Sequence, residues 1–376
     1  MKMRILYIID GMEFGGGERG FLQIIKGLDK EKYTIHVASK PGGEFGKKLV
    51  EMGIHLEPLN MEIRFNPFNI LKLARIIKKE CVHVVHSQGA RADFFARVAV
   101  KAAGRSHLVS TVQMPVEGYD VGPMKMLLYR AFDRFSERFV DRFLVVSSIL
   151  EQAMIQRHGI PREKVVKIYN GIETDKYKPN AEEFRSQESE VRREFALARD
   201  VPVIGAIGRL VWQKGFEYFL QSIPALIQDI PKVRFMLVGE GPLRQELERL
   251  SMSLGIRDRL VFTGYRSDIR DMMAAMDVVV IPSLLEGFPM ITLEAMAMEK
   301  PIVTTAIDGI MEQITDGREG LLIAPKNPPA LAQAVKRLVD DPDYARSLGI
   351  NARAKVVRDF SVHRMIAETI KVYETL

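Results

Sequence analysis

The sequence predicts an α/β protein with two Rossmann-like domains, each built around a doubly wound parallel sheet. Short β-branched runs alternate with amphipathic segments along most of the chain, as in parallel sheets with helical crossovers. The alternation stops in a polar stretch at about residues 170–190 and then restarts. At 376 residues the chain is also too long for one ordinary hydrophobic core.

The first predicted domain covers residues 1–180. Its strands are expected in the short apolar runs Arg4–Ile9, Tyr33–Ala38, Ile54–Pro58, Val82–His86, His107–Val112, Phe143–Val146 and Val165–Ile168. Amphipathic stretches between them predict helices at Phe21–Gly27, Gly46–Met52, Asn69–Lys79 and Ala90–Ala103.

The second predicted domain covers residues 181–360. Its strands are expected at Val201–Ile207, Val233–Val238, Leu260–Phe262, Val278–Ile281, Pro301–Thr304 and Gly320–Ile323. The chain then closes with helical patterns at Pro328–Val339, Asp343–Arg358 and Val362–Tyr373.

Composition indicates a globular protein of a reducing compartment. The hydrophobic content is 47% and the charged content 27%, which is typical of such proteins. The single cysteine, Cys81, cannot form an internal disulfide. No apolar run approaches the roughly 20 residues that span a bilayer. We therefore expect a cytoplasmic protein that is at most peripheral to the inner face of a membrane.

Positive charge is concentrated in the first half. Residues 1–180 carry 29 Lys and Arg against 20 Asp and Glu, whereas the rest carry 25 against 28. This asymmetry predicts an anionic partner for the first domain, with an ordinary solvated surface as the equal alternative. Aromatic residues are not interleaved with the basic ones, so no nucleic-acid partner is expected.

The stretch from Asp277 to Ala297 carries the strongest functional pattern. A buried strand is followed by a turn with Gly287, and a helix is expected to begin near Met290. Glu286 thus lies at the carboxyl end of a strand, where open α/β sheets bind ligands. Glu294 lies one turn into the helix. Two carboxylates in this arrangement are suited to a ligand rich in hydroxyls, such as a ribose or a hexose.

Two glycine-containing turns predict contacts with a ligand. Gly15–Gly17 follow the first strand, where they permit close backbone approach to a ligand. Gly208 and Arg209 follow the first strand of the second domain, with Lys214 shortly after. Two cations beside a helix N-terminus are suited to a diphosphate leaving group.

Together these residues resemble the retaining, nucleotide-sugar-dependent glycosyltransferases of the GT-B fold, in particular family four (glycosyl transferases group 1). The pattern is carried by Gly208-Arg209 with Lys214-Gly215, and by Glu286 and Glu294 spaced as Glu-x7-Glu. Further stretches occur in the family's order along the whole chain: Gly15–Gly17, Val146-Ser147-Ser148, Asn170-Gly171-Ile172, Gly239–Pro242 and Gly309–Gly320.

The resemblance implies two domains that face a central cleft, with Val362–Tyr373 packing back on the first. It implies a nucleotide diphosphate sugar, most simply of UDP or GDP, as donor, and no metal ion or other cofactor. Arg209, Lys214 and Glu286 would be catalytic and Glu294 would bind the ribose. The predicted donor-binding residues are Gly16, Gly17, Gly208, Gly239, Tyr265, Arg266, Gly287, Phe288, Leu293 and Glu294.

The acceptor side departs from the family pattern. Many relatives carry a histidine where this chain has Gln113, and a second one where it has Gln88. Glutamine can hydrogen-bond a sugar hydroxyl but cannot accept a proton near neutral pH. His86, Gln88 and Gln113 are the acceptor-side candidates, and the acceptor is expected to be a saccharide or a lipid-linked saccharide. A GT-B-fold epimerase and a catalytically degenerate nucleotide-sugar-binding partner are the alternatives.

Three other segments bear on partners. Basic amphipathic patterns at Pro123–Phe135 and Arg64–Lys79 could lie on an anionic membrane or be ordinary buried helices. Asp341 and Asp343 spell the Asp-x-Asp of metal-dependent transferases, but Asp343 is expected to cap a helix instead. Neither the sugar nor the oligomeric state can be read from the sequence.

Overall fold

The computed structural model describes residues 2–11, 15–61, 66–104, 106–114, 134–178 and 190–376. The chain forms two compact units. Unit 1 comprises Met1–Gly171 and Val362–Leu376, and unit 2 comprises Ile172–Ser361. The boundary therefore precedes the predicted one at residue 180. The reason is that the backbone N–H of Ile172 donates to Phe360 O at 2.9 Å, which ties the start of the connecting segment to unit 2.

Unit 1 is organised on a parallel sheet. Within the described residues its strands are β1 (Met3–Ile9), β2 (Tyr33–Ser39), β3 (Leu56–Pro58), β4 (Val84–Gln88), β5 (His107–Val112), β6 (Arg142–Val145) and β7 (Val165–Lys167). They lie in the order β3-β2-β1-β4-β5-β6-β7. The order reverses direction between β1 and β4, so that the topological switch point lies there.

Five α-helices of the described part of unit 1 follow these strands: α1 (Gly16–Gly27), α2 (Glu44–Glu51), α3 (Pro67–Lys79), α4 (Ala90–Ala103) and α5 (Ser148–Gln152). Amphipathic patterning explains their packing. In α1, for example, Phe21, Ile24 and Ile25 recur at helical spacing and are buried. They join a core cluster with side chains of β1 and β2, including Ile5, Tyr7 and Val37.

Unit 2 repeats the arrangement. Its strands are β8 (Val203–Ile207), β9 (Arg234–Val238), β10 (Leu260–Gly264), β11 (Val278–Ile281), β12 (Ile302–Thr305) and β13 (Leu321–Ile323). Their order, β10-β9-β8-β11-β12-β13, places the switch point between β8 and β11. The helices are α6 (Phe216–Asp229), α7 (Arg244–Ser253), α8 (Ile269–Ala274), α9 (Met290–Ala297), α10 (Asp308–Met311), α11 (Pro328–Asp340) and α12 (Pro342–Asp359).

The last helix, α13 (Val362–Glu374), belongs to unit 1. Val362, Met365 and Val372 are buried in the same core cluster as the side chains of β1 and α1. Tyr373 is 1% exposed, and its hydroxyl lies 3.0 Å from the hydroxyl of Tyr7 in β1. Unit 1 is therefore made of two separate stretches of chain.

These two parallel sheets confirm the predicted fold class, and the differences lie at element ends. Strand β4 was predicted at Val82–His86 but occupies Val84–Gln88. The backbone N–H of Val82 still closes α3, donating to Ile77 O at 3.0 Å. Helix α1 begins at Gly16 rather than Phe21, because its buried apolar face outweighs the low helix propensity of glycine.

Helix α12 corrects the predicted cap. It begins at Pro342, and the side chain of Asp341, not Asp343, accepts the Tyr344 N–H at 3.0 Å. The predicted amphipathic segment Pro123–Phe135 lies outside the described residues except at its end. The Arg64–Lys79 pattern is helix α3 from Pro67 onward. Among the helices that the structure describes, none is long and apolar enough to cross a membrane.

Candidate active site

The candidate site of unit 2 lies at its topological switch point. The turn after β8 carries Arg209 and Lys214, and the loop after β11 carries Glu286. Because β8 and β11 are neighbours in a parallel sheet, their carboxyl ends bring both segments to one edge. Residues separated by 72 positions thereby come into contact: Lys214 Nζ lies 2.5 Å from Glu286 Oε1.

Backbone contacts hold these two segments together. The N–H groups of Leu284 and Leu285 both donate to Gln213 O, at 2.7 and 3.3 Å. Gly215 has φ +60°, and a Cβ at this position would lie 2.3 Å from Pro282 O. Only glycine permits both that conformation and that approach. The backbone therefore holds the two segments that carry Lys214 and Glu286 next to each other.

Glu286 is held through one of its two carboxylate oxygens. Ser283 Oγ donates to Oε1 at 2.9 Å, the same oxygen that contacts Lys214. The Glu286 side chain is only 8% exposed. Oε2 has no hydrogen-bond donor among the described residues, so that it remains available to a ligand hydroxyl. Ser283 was not predicted as a site residue, although it lies three positions before Glu286 in the same turn.

Glu294 lies in α9 and is 2% exposed. Its Oε1 accepts a hydrogen bond from the hydroxyl of Tyr177 at 3.1 Å. Tyr177 ends a short 3-10 turn, Thr174–Tyr177, in the first stretch of unit 2. No local sequence pattern predicts this contact, because 117 positions separate the two residues.

The remaining predicted donor-binding residues of unit 2 are placed as follows. The N–H of Gly208 donates to Val238 O, and the N–H of Gly239 donates to Gly264 O, both at 2.9 Å. These bonds join the ends of β8, β9 and β10. Gly287 and Phe288 are buried beside Glu286, and the Phe288 ring packs edge-to-face on Phe360 at 5.3 Å. Leu293 is fully buried in α9, so its side chain has a packing role.

Tyr265 and Arg266, predicted near the nucleotide base, lie after β10. Tyr265 is 65% exposed. The Arg266 guanidinium forms bidentate ion pairs with Glu194 at 2.7 and 3.1 Å, and with Asp268 at 2.8 and 2.6 Å. The hydrogen bonds with Asp268 and Glu194 raise the pKa of Arg266, and the hydrogen bond from Arg266 lowers the pKa of Asp268. A base contact through Arg266 would compete with these pairs, and Glu194 is a partner that the sequence did not reveal.

In unit 1, the candidate residues gather at the switch point between β1 and β4. Gly16 and Gly17 begin α1 directly after β1, and Gln88 ends β4. Gln113, just after β5, donates through Nε2 to Gln88 Oε1 at 3.2 Å. It also exchanges two hydrogen bonds with Asn170, at 2.9 and 3.2 Å. Asn170 belongs to one of the stretches that resemble the family, but it is not among the predicted site residues.

His86 lies apart from this amide group. Because β4 extends to Gln88, His86 lies within the strand rather than at its carboxyl end, and its side chain is fully buried. Its Nδ1 lies 2.5 Å from the Tyr373 hydroxyl and its Nε2 lies 2.7 Å from Thr111 Oγ1. Burial lowers the pKa of His86 to about 3. The geometry favours a packing role over contact with an acceptor.

Two family models match the chain. Residues 14–176 match the model described as Glycosyltransferase Family 4, and residues 201–341 match the model described as Glycosyl transferases group 1. Together they include every predicted site residue of both units.

Curated proteins with similar sequences are glycosyltransferases. UDP-Gal:alpha-D-GlcNAc-diphosphoundecaprenol alpha-1,3-galactosyltransferase of Escherichia coli is 25% identical, over 99% of this chain and 97% of its own length. Uncharacterized glycosyltransferase MJ1607 of Methanocaldococcus jannaschii is 32% identical, over 61% of this chain and 59% of its own length. The match thus spans less than two thirds of that relative.

Solved structures share the fold over the full length. Anabaena HepE, determined in complex with UDP-glucose, aligns over all of both chains with a TM-score of 0.87 at 24% identity. Sucrose-phosphate synthase from Thermosynechococcus elongatus aligns with a TM-score of 0.82 at 19% identity. At these identities the comparison shows the two-domain fold that the sequence predicts.

Proposed function

Because the chain belongs to the family 4 glycosyltransferases and has their GT-B fold, we propose that it transfers a sugar from a nucleotide diphosphate sugar to a saccharide acceptor with retention of configuration. The observation that carries this proposal is the contact of Lys214 with Glu286. It joins a cation suited to a departing phosphate with a carboxylate suited to sugar hydroxyls.

The residues of unit 2 have complementary roles in this reaction. The Lys214 ammonium and the exposed Arg209 guanidinium stabilise the negative charge that develops on the departing diphosphate. Glu286 orients the donor sugar through Oε2, and Glu294 binds the ribose hydroxyls. The two cations supply the charge stabilisation that a metal ion provides in other transferases, so the proposed reaction needs none.

UDP is the proposed donor nucleotide, and a lipid-linked saccharide is the proposed acceptor. The solved structure of Anabaena HepE contains UDP-glucose, and the Escherichia coli relative is named for UDP-Gal and a diphosphoundecaprenol-linked acceptor. Both support these choices without identifying the sugar. The basic character of the first half of the chain is also complementary to a phosphorylated acceptor.

The proposal is tested by transfer assays on the whole chain. UDP- and GDP-sugars are offered with a prenyl diphosphate saccharide, in EDTA, and the anomeric configuration of the product is read by NMR. We expect a retained configuration, and for Lys214→Ala a turnover lower by roughly 100-fold, the effect of losing a transition-state donor.

Lys232→Ala is the matched control, because Lys232 is 77% exposed and pairs only weakly with Asp200 at 3.7 Å. Its turnover should equal that of the wild type. An inverted product would exclude the retaining mechanism, and release of free sugar independent of any acceptor would favour the epimerase-like alternative. Wild-type turnover in Lys214→Ala would reject the role assigned to the cation.

We also propose that unit 1 contacts an anionic membrane through α3. Phe68 and Leu71 are 76% and 52% exposed on this helix. Arg75, Lys78 and Lys79 are exposed further along it, and the helix contains no acidic residue. Exposed apolar groups combined with basic ones are typical of helices that bind anionic lipid.

A further inference from the structure

The N-terminus of α1 carries hydrogen-bond donors that lack acceptors among the described residues. Gly16 and Gly17 form the first turn of this twelve-residue helix, where backbone N–H groups have no partner within the helix. The Glu18 carboxylate accepts a hydrogen bond from Gly15 N at 3.0 Å, just before this turn. The N–H groups of Gly16 and Gly17 are therefore left to a ligand.

A buried side chain is directed at the same place. Gln88 is 5% exposed, and its Nε2 lies 2.9 Å from the position that a Cβ of Gly17 would occupy. In the part of the chain that the structure describes, Nε2 has no hydrogen-bond acceptor. This amide therefore has a donor available to a ligand or to water. Gly17 must lack a side chain for Gln88 to reach this position.

The direction of the Gln88 amide is determined by its neighbours. Asn170 and Gln113 hold each other through two reciprocal hydrogen bonds. The same Gln113 Nε2 donates to Gln88 Oε1 at 3.2 Å. Since Oε1 is thus occupied, the NH₂ group of Gln88 must face α1. Asn170, Gln113 and Gln88 form an amide chain that orients one donor group.

The chemistry of this site selects a ligand oxygen that only accepts. Two backbone N–H groups and the Gln88 NH₂ supply donors to it. A sugar hydroxyl would bring a proton of its own, and the acceptor Oε1 of Gln88 is already used by Gln113. A phosphate oxygen accepts several hydrogen bonds and is favoured at a helix N-terminus.

We propose that Gln88, oriented by Gln113 and Asn170, binds a diphosphate oxygen together with the first turn of α1. The inference rests on the proposed function for the source of the diphosphate, which is either the nucleotide sugar or a prenyl diphosphate acceptor. It moves Gln88 from the acceptor-sugar contact expected from the sequence to a phosphate contact. Gln113 and Asn170 are positioning residues.

Calorimetric titration of the whole chain tests the proposal with two pairs of probes. UDP is compared with uridine, and farnesyl diphosphate with farnesol, so that each pair differs only in its phosphates. We expect Gln88→Leu to weaken the binding of one of the two diphosphates by roughly tenfold to 100-fold. This is the range for losing a hydrogen bond to a charged group. Its phosphate-free counterpart should bind as it does to the wild type.

The affected pair identifies the source of the diphosphate. Unchanged binding of both diphosphates by Gln88→Leu would overturn the proposal, provided that the variant melts like the wild type. If it does not fold, Gln88→Met serves as the second variant. A titration with inorganic pyrophosphate distinguishes a failure of this site from a failure of the proposed function. A Gln88-dependent affinity for pyrophosphate supports the site even if neither nucleotide binds, whereas its absence in a protein that binds UDP rejects the site alone.

The positioning roles are tested by double-mutant cycles. Asn170→Ala should weaken diphosphate binding severalfold, and it should add nothing to the effect of Gln88→Leu, because it acts through the same amide. Gly17→Ala should likewise weaken diphosphate binding and add nothing to the effect of Gln88→Leu, since its methyl group displaces the Gln88 amide. Additive effects in these pairs would contradict the amide chain, because independent structural damage adds.

Discussion

At the scale of single residues, the candidate site depends on how each carboxylate is held. Glu286 uses Oε1 for protein contacts with Lys214 and Ser283, while Oε2 is the atom proposed to contact the donor sugar. Glu294 has a hydrogen bond from Tyr177. In both cases a neutral hydroxyl fixes a carboxylate, and pre-organisation of this kind lowers the entropy that binding costs.

Ser283 should therefore contribute to turnover without contacting the donor. We expect Ser283→Ala to lower kcat by about tenfold, because losing a hydrogen bond to a charged group costs about 1.5 kcal/mol. The KM for the donor should change less. Ser283→Thr keeps the hydroxyl and should restore most of the activity, as measured by steady-state kinetics.

The matched control for that substitution is Ser222→Ala in α6. Ser222 is equally buried, at 1% exposed, and its Oγ bonds only to Phe219 O of its own helix. The Ser222→Ala substitution should lower the melting temperature without changing kcat. Equal losses of kcat in the two alanine variants would show that Ser283 acts through stability rather than through Glu286.

His86 makes stability depend on pH. Its pKa is lowered to about 3 by burial, whereas the unfolded chain has the ordinary value of about 6.5. Between these values the unfolded state binds one more proton, so that stability is complete above pH 6.5 and falls as the pH falls. The expected loss is about 1.4 kcal/mol per pH unit.

Replacing the ring should remove this slope. In His86→Gln the stability of unit 1 should fall less steeply between pH 6.5 and 4.5 than in the wild type, as measured by hydrogen exchange of α13 and β4. Trp212, the single tryptophan, lies in unit 2 and monitors that unit separately. Parallel slopes in the two proteins would mean that His86 titrates normally.

At the scale of elements, α3 combines a buried face with the face that is proposed to contact a membrane. Its buried residues Leu73, Ala74 and Ile77 hold it on unit 1, while Phe68 and Leu71 face outward. Asn66 caps it through the N–H of Phe68 at 3.0 Å, which fixes where the exposed face begins. Substitutions on that face should leave the fold intact.

Phe68→Ser combined with Leu71→Ser should weaken binding to vesicles containing anionic lipid. We expect a loss of about tenfold or more, because burying one large apolar side chain is worth about 1.5–3 kcal/mol and the membrane covers each only partly. Co-sedimentation at low and high salt measures the change. Val357→Ser, which removes an exposed apolar residue of α12, is the control and should bind like the wild type.

The elements themselves were largely predictable, because a buried strand or an amphipathic helix follows from the hydrophobic pattern of consecutive residues. Helix α9 begins at Met290 as the turn at Gly287 predicts. Residues that meet across the sheet were not predictable in the same way. No local pattern links Asn170 to Gln113 or Tyr177 to Glu294, since these contacts depend on which strands and turns become neighbours.

The carboxyl end of β4 determines whether His86 or Gln88 lies among the candidate site residues of unit 1. Ending β4 at His86 placed this side chain at the strand's carboxyl edge, among the ligand-binding candidates. In the structure β4 has two further residues, so Gln88 lies at that edge and His86 lies inside the strand, where it is buried. The turn after α3, where Cys81 adopts φ +46°, consumes the residues that the apolar pattern assigned to the strand.

At the scale of the whole molecule, the two units carry their candidate sites in equivalent places. In each, the first strand of the sheet and its neighbour across the switch point supply the residues, β1 with β4 and β8 with β11. Unit 2 carries the Lys214–Glu286 pair there, and unit 1 carries the side-chain amides of Gln88 and Gln113. The similar topology therefore supports different ligand chemistry.

The split composition of unit 1 also has a consequence for biosynthesis. Unit 2 is one continuous stretch, with Ile172 hydrogen-bonded to Phe360 across its two ends. On the ribosome it can complete its core as soon as it has emerged, since domains fold as units during synthesis. Unit 1 begins first yet finishes last, because the Tyr7 hydroxyl and His86 Nδ1 gain their partner, the Tyr373 hydroxyl, only when α13 has been synthesised.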